Sequence, residues 1–193
     1  MKTKRKPNYN ISPMILNRHS PRAMSGESLS EAEFMPLFEA ARWAPSSYNN
    51  QHWRFVYAKR DTKHWDDFFN LIGEWNQGWC KNAALLVIIV SKKTLDMNGN
   101  PARTHSFDAG AAWENLALEG SQRGLVVHGM EGFDYDKAKK LLELTDEYNI
   151  EAMVAVGKPG KNDSLPEQYR KADEEFSDRK PLADIVFEGR MKK

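Results

Sequence analysis

The 193-residue sequence predicts a single α+β domain. Three observations lead there: helical and strand periodicities interleave irregularly along the chain, no internal repeat is visible, and hydrophobic residues make up 40% of the composition. That apolar content is enough for a core without metal or disulfide support. Lys and Arg number 28 against 27 Asp and Glu, a net charge of +1. Such a balance lacks the long-range field of a dedicated nucleic-acid binder, so any anion site must be local. The single cysteine, Cys80, cannot form an internal disulfide, and no apolar run is long enough to span a bilayer. These features predict a soluble cytoplasmic protein that engages neither nucleic acid nor membrane.

Residues 1–17 carry turn formers without periodicity and read as a loose basic arm, with residues 18–193 as the domain proper. Ser30 to Glu33 has capping-box spacing, and Phe34, Leu37, Phe38 and Ala41 follow at helical intervals, predicting a helix over 31–43. Pro36 predicts an irregular or later first turn, and Pro45 ends the helix by forcing Ala44 towards an extended conformation. A polar loop, Ser46 to Gln51, leads into an aromatic, β-branched strand from Trp53 to Ala58. A short helix is expected over 64–72 and a buried strand over 84–91. The stretch 92–105, with Asn98-Gly99-Asn100-Pro101, reads as a long loop and a candidate lid.

The strongest helical pattern runs from Ser106 to Arg123, with Ala109, Ala112, Trp113, Leu116, Ala117 and Gly120 on one face and Gly124 as its stop. Its small residues permit close backbone approach. Another extended segment begins at Leu125, a helix is expected over 135–144, and a last strand over 152–156. A highly charged stretch follows through Phe176, and the apolar segment Pro181 to Phe187 needs a packing partner, for which a second subunit is one candidate.

No Gly-rich dinucleotide fingerprint, P-loop, helical His-Glu-x-x-His pair or zinc-spaced cysteine pair is present. Arg18-His19-Ser20-Pro21-Arg22 is the first constellation with chemical content. An extended chain puts Arg18, Ser20 and Arg22 on one side, offering two guanidinium forks and a hydroxyl to a phosphate; the ordinary reading is a solvated basic surface. Arg179-Lys180 is a second basic pair, which Asp178, Glu174 or Glu175 would neutralise if the run is merely surface. The hydroxyls and carboxamides of residues 46–51 suit a polyhydroxyl chain or a ring with alternating donors and acceptors, or else simply form a turn. His52 reads as a solvent-facing loop residue, Cys80 as packed rather than nucleophilic, and Trp75, Trp79 and Phe107 as core or as covers over a flat ligand.

In order, these motifs resemble the nitroreductase family. Residues Ala40 to Phe55 are similar to its signature of a helix ending in Ala-Arg, then Ala-Pro-Ser-Ser, Asn, Gln and a Trp-Arg-Phe strand. Arg18-x-Ser20-x-Arg22 resembles its N-terminal phosphate motif, Gly129-Met130-Glu131-Gly132-Phe133 its main-chain segment against the flavin, and Arg179-Lys180-Pro181-Leu182 its late phosphate pair. The likeness spans roughly residues 16–188, with His52 standing where the family usually has Pro.

The resemblance implies a three-layer fold with a mainly antiparallel central sheet flanked by helices. It further implies an intertwined homodimer whose C-terminal segments reach the partner. FMN would be held at its phosphate by Arg18, Ser20, Arg22, Arg179 and Lys180. Its ribityl chain and ring would be lined by Pro45, Ser46, Ser47, Asn49 and Gln51, and Glu131 and Gly132 would present backbone N–H groups to the ring. The implied activity is electron transfer from NADPH or NADH to a small flat acceptor, nitroaromatic or quinone, by ping-pong turnover with no obligatory acid or base. Reductive dehalogenation, flavin cleavage and non-catalytic flavin binding are alternatives on the same fold.

Overall fold

A computed structural model describes residues 5–174 and 178–191. Lys2 and Lys4 of the basic arm, and Glu175 and Phe176 of the charged stretch, therefore lie outside the described residues. The helices are α1 (Pro13–Asn17), α2 (Glu31–Arg42), α3 (Trp65–Phe69), α4 (Glu74–Cys80), α5 (His105–Gln122), α6 (Tyr135–Leu141) and α7 (Glu167–Glu174). The strands are β1 (Trp53–Lys59), β2 (Leu85–Lys92), β3 (Val126–Met130) and β4 (Tyr148–Gly157), and they form one sheet in the order β1-β2-β4-β3 with every pairing antiparallel.

The sheet divides the core in two. Along β2 every residue from Leu85 to Ser91 is buried, because both faces are covered. Leu86, Ile88 and Val90 join Met153 and Ala155 of β4 beneath Phe68, Trp79, Cys80, Ala138 and Tyr169, contributed by α3, α4, α6 and α7. Leu85, Val87 and Ile89 join Val154 and Val156 beneath α2 and α5, through Phe34, Leu37, Ala41, Ala109, Ala112 and Leu116. The expected three-layer α+β fold is therefore present. Each fully buried aliphatic side chain in these layers stabilises by roughly 1.5–3 kcal/mol.

Helix α5 approaches both the sheet and α2 closely, as its small residues predict. A Cβ at Gly120 would collide with Val127 and press on Leu37, and Asn115 donates to the Ala40 carbonyl at 3.1 Å across the α2–α5 seam. Helix α2 starts at Glu31 despite Pro36, which overturns the expected irregular start. The Glu33 carboxylate accepts the Ser30 N–H at 2.8 Å, and the Phe34–Leu37–Ala41 face is buried, which offsets the hydrogen bond that Pro36 cannot donate.

Other departures have local causes. Helix α4 was not expected, since Gly78 interrupts its pattern; a Cβ there would collide with the Tyr169 ring, so the glycine is a packing requirement. Strand β4 begins four residues earlier than expected, and a register shift opposite Ile89 and Val90 leaves Glu151 as an extra residue between Ile150 and Ala152. The stretch after β2 is a bonded excursion and not a slack loop. Thr94 bridges Pro101, and the Lys93 N–H and carbonyl engage Glu147 and Ala102. The arm also takes structure, with α1 at Pro13–Asn17 and Arg5 donating to the carbonyls of Leu16 and Arg18.

Strand β3 is fastened to the chain before α2. His128 packs its ring 4.4 Å from that of Trp79 and donates from Nδ1 to the Pro21 carbonyl at 3.1 Å. Burial pushes its imidazole below the ordinary value, against the opposing pull of the Pro21 carbonyl. The folded chain thus holds His128 neutral while the unfolded chain takes up a proton below about pH 6.5, so this group costs stability as pH falls.

Two outcomes are expected. In denaturant titrations at fixed protein concentration, Leu116→Ala should lose about 2–5 kcal/mol and Ser30→Ala about 1 kcal/mol. The stability lost between pH 7 and pH 5 should be smaller in His128→Gln than in the wild type.

Candidate functional site

Where β3 ends alongside the middle of β4 and of α5, a cleft of about 350 Å³ opens, lined by Arg18, Ser20, Trp113, Glu114, Gly129, Met130, Glu131 and Ala152. Its shape follows from the packing. A Cβ at Gly129 would lie 3.0 Å from the Trp113 ring, so the glycine lets the indole lie against the strand. Arg18 donates to the Ser20 hydroxyl at 3.2 Å, and its Nε lies 3.8 Å from Glu114.

Positive charge gathers at Arg18. Burial, then the charges of Arg179 and Arg18, push the Arg5 guanidinium below its ordinary value. Arg5, which also donates to the Arg18 carbonyl, thus stands within the influence of both basic runs, 161 residues apart between Arg18 and Arg179, and is a residue that the sequence reading missed. Its only signal was membership of the arm's basic run, which is indistinguishable from a solvated tail. Three guanidiniums and a hydroxyl are the donor set of an anion site.

Arg22 faces elsewhere. Its N–H and guanidinium both engage Asp173 of α7, at 2.7 and 2.8 Å, and its Nε is buried without a partner. The expected alignment of residues 18, 20 and 22 thus holds for the first two; Arg22 turns to a carboxylate because a largely buried guanidinium needs one. Lys180 is exposed, and Arg179 donates to the Asp178 carbonyl at 2.8 Å.

Glu131 lines the cleft, and Gly132 follows in a tight turn. The Phe133 N–H donates to the Glu131 carbonyl at 2.8 Å, which fixes the peptide plane carrying the Gly132 N–H. Gly73 and Asn76 donate to the Gly132 carbonyl at 3.0 and 3.3 Å, and a Cβ at Gly132 would crowd Asn76. This is backbone held stiff next to a cavity. Beside it the rings of Phe133 and Tyr135 stack at 4.1 Å, and burial with the charges of Glu131 and Glu151 pushes the Tyr135 phenol up.

The loop of Pro45, Ser46, Ser47, Asn49 and Gln51 sits at the N-terminal end of α5, away from this cleft. Tyr48, Asn49 and Gln51 all adopt left-handed backbone, with φ of 54°, 51° and 50°. Three non-glycine residues of four in that region are strained and must be held by their surroundings. Ser46 Oγ accepts the Gln51 N–H at 3.0 Å, and Asp108 accepts the Ser47 N–H at 3.0 Å. Pro45, Tyr48, Asn49 and Gln51 are exposed.

His52 is not solvent-facing, which corrects the sequence reading: it is 0% exposed, packed between β2 and α5. Of the aromatic residues considered as covers, Trp79 is core, Trp75 packs edge-on to Tyr169, and Phe107 is 80% exposed. Cys80 is buried, and burial pushes its thiol up to about 12, so it is packed and unreactive as expected. No metal-binding cluster exists among the described residues, and none of their helices is long and apolar enough to cross a membrane.

Comparison with known proteins follows this geometry. The Nitroreductase family pattern matches residues 15–77 and 63–158. A solved structure described as the oxidoreductase containing FMN is 39% identical, covers 100% of this chain and 98% of its own, and superposes with a TM-score of 0.93. Protein DrgA of Synechocystis sp. is 30% identical over 174 residues, 70% of this chain and 80% of its own length. The putative NAD(P)H nitroreductase MhqN of Bacillus subtilis is 23% identical over 82% of this chain and 93% of its own. The motifs at the cleft, the three-layer fold and these likenesses agree: the chain belongs to the nitroreductase family.

Proposed function

We propose that this chain is an FMN-dependent oxidoreductase that passes electrons from NADPH or NADH to a small flat acceptor, nitroaromatic or quinone, in ping-pong fashion. The observation that carries the reading is Arg18 and Ser20 at a cleft walled by Trp113 and Met130, with the charges of Arg18 and Arg179 both bearing on Arg5 beside it. Guanidiniums that repel one another are stabilised by a phosphate, and an indole wall suits a planar ring, so the residues present fit FMN. The FMN of the similar solved structure and the NAD(P)H in the description of the relative from Bacillus subtilis support the same reading.

In this reading Arg5, Arg18, Ser20, Arg179 and Lys180 hold the phosphate, and Arg22 braces the motif through Asp173. FMN supplies the centre that accepts hydride and releases electrons to the acceptor. The stiff Glu131–Gly132 turn presents N–H groups towards developing charge, and the walls of the cleft exclude water from the reacting face. No side chain is required as an acid or base.

We further propose that the functional unit is a cytoplasmic homodimer whose acceptor site lies between subunits. Residues 18–193 form its single FMN-binding domain, the C-terminal segment reaches the partner, and the loop 45–51 completes the partner's cleft. Trp43, Tyr48, Phe107, Ile185 and Val186 are exposed, more apolar surface than an isolated subunit ordinarily shows. Light scattering should give twice the 22.2 kDa chain mass.

Protein dialysed after incubation with FMN should retain flavin absorption bands that bleach on anaerobic addition of NADPH or NADH. No retained flavin refutes the reading, and bound flavin that never bleaches points to non-catalytic binding. The double substitution Arg18→Ala, Arg179→Ala should weaken FMN binding about 100-fold or more with the dimer intact. Each charge-assisted contact contributes roughly 1.5–3 kcal/mol, and 1.4 kcal/mol is tenfold.

A further inference from the structure

Beneath the loop 45–51 lies a polar contact that the phosphate and ring residues do not explain. His52 is 0% exposed at the entry to β1. Its Nδ1 donates to the Lys92 carbonyl at 2.8 Å, which ties the loop to the end of β2. Its Nε2 is buried with no hydrogen-bond partner and lies 3.6 Å from Oδ2 of Asp108, beyond hydrogen-bond length and within ion-pair range.

Asp108 is itself 4% exposed, and the same Oδ2 accepts the Ser47 N–H at 3.0 Å and the Thr104 hydroxyl at 3.3 Å. A buried carboxylate is costly unless its surroundings compensate it, and the His52 ring is the one basic side chain within 4 Å of Asp108 among the described residues. The other charged groups facing this corner are already matched. Lys92 pairs with Asp96, and Asp96 also feels Arg54 and His52. Asn50 closes the arrangement, accepting the Asp96 N–H at 2.8 Å and donating to the Thr94 carbonyl at 3.3 Å.

We propose that His52 is a positioning residue. With Nδ1 tied to β2 and Nε2 set against Asp108, the ring anchors the carboxylate that holds the Ser47 N–H, and so keeps the loop of Ser46, Ser47, Asn49 and Gln51 in the one conformation that meets flavin. The need for an anchor is visible in the backbone, since Tyr48, Asn49 and Gln51 are left-handed and relax once the ends of the loop are released. The anchor's two ends are unequal. Nδ1 secures the loop to the sheet, while Nε2 acts through Asp108 on Ser47. The inference rests on the flavin reading of this loop only for its functional consequence; the anchor is a property of the chain without flavin.

The test is amide hydrogen exchange on the FMN-free dimer, followed by FMN titration. Asparagine and glutamine divide the two roles of the ring: an amide nitrogen at His52→Asn reaches towards the Lys92 carbonyl, and one at His52→Gln reaches towards Asp108. In His52→Leu and His52→Asn, the Ser47 and Asn50 amides should exchange at least tenfold faster than in the wild type, and FMN should bind at least tenfold more weakly. His52→Gln should stay within about threefold of the wild type in both measurements, and in all three variants the amides of β2 and β4 should keep wild-type rates. If His52→Leu does not fold, the Asn and Gln variants alone decide. Unchanged Ser47 exchange in His52→Asn, or exchange in His52→Gln as fast as in His52→Asn, overturns the proposal. So does acceleration that includes β2, because His52 would then support the core and not the loop. Should the wild type retain no FMN while the exchange pattern holds, the flavin reading falls and the anchor stands.

Discussion

The burial of one strand on both faces organises everything else in this molecule. Because β2 has no solvent side from Leu85 to Ser91, a layer of helices must form above and below it, and β4 beside it must serve both. An antiparallel sheet with one wet face would need helices on one side only. The two-sided demand recruits α2 and α5 to one face and α3, α4, α6 and α7 to the other. The cleft then appears where β3 ends short beside the middle of α5, and the sheet's stiffness becomes the stiffness of the Met130–Gly132 turn.

Charge inside this fold is treated in two ways. Where a charge is structural it is matched: Arg22 by Asp173, Asp108 by His52. Near the cleft, cations also face cations, with the charges of Arg179 and Arg18 bearing on Arg5. Matched buried pairs hold geometry, because removing either partner strands the other. A near-neutral chain hides this contrast in its composition.

Much of this was legible from the residues in order. The capping box at Ser30, the small-residue face of α5 and the continuous apolar run of β2 are local signals, and the elements formed where they pointed. Arg18, Ser20 and Glu131, singled out by motifs in a recognisable order, all line the cleft. Arg5 and helix α4 were not legible. A guanidinium in a basic tail has no pattern, and the reason for Gly78 is the Tyr169 ring, ninety-one residues further along the chain.

His52 shows where the division falls. Taken alone, a histidine in a polar loop reads as solvated, and nothing within several residues of it says otherwise. Its burial is decided by β2 and α5 arriving on either side, and its role by a carboxylate that enters from α5. The same holds for Arg22, which sits in the motif by sequence and on Asp173 by structure. The sequence by itself determined the family, the elements and the chemical types gathered at the site, because periodicity, capping and motif order are local properties. Only the tertiary structure decided which charges face a carboxylate and which face one another, because electrostatic partnership depends on distance through space and on burial, and neither is written along the chain.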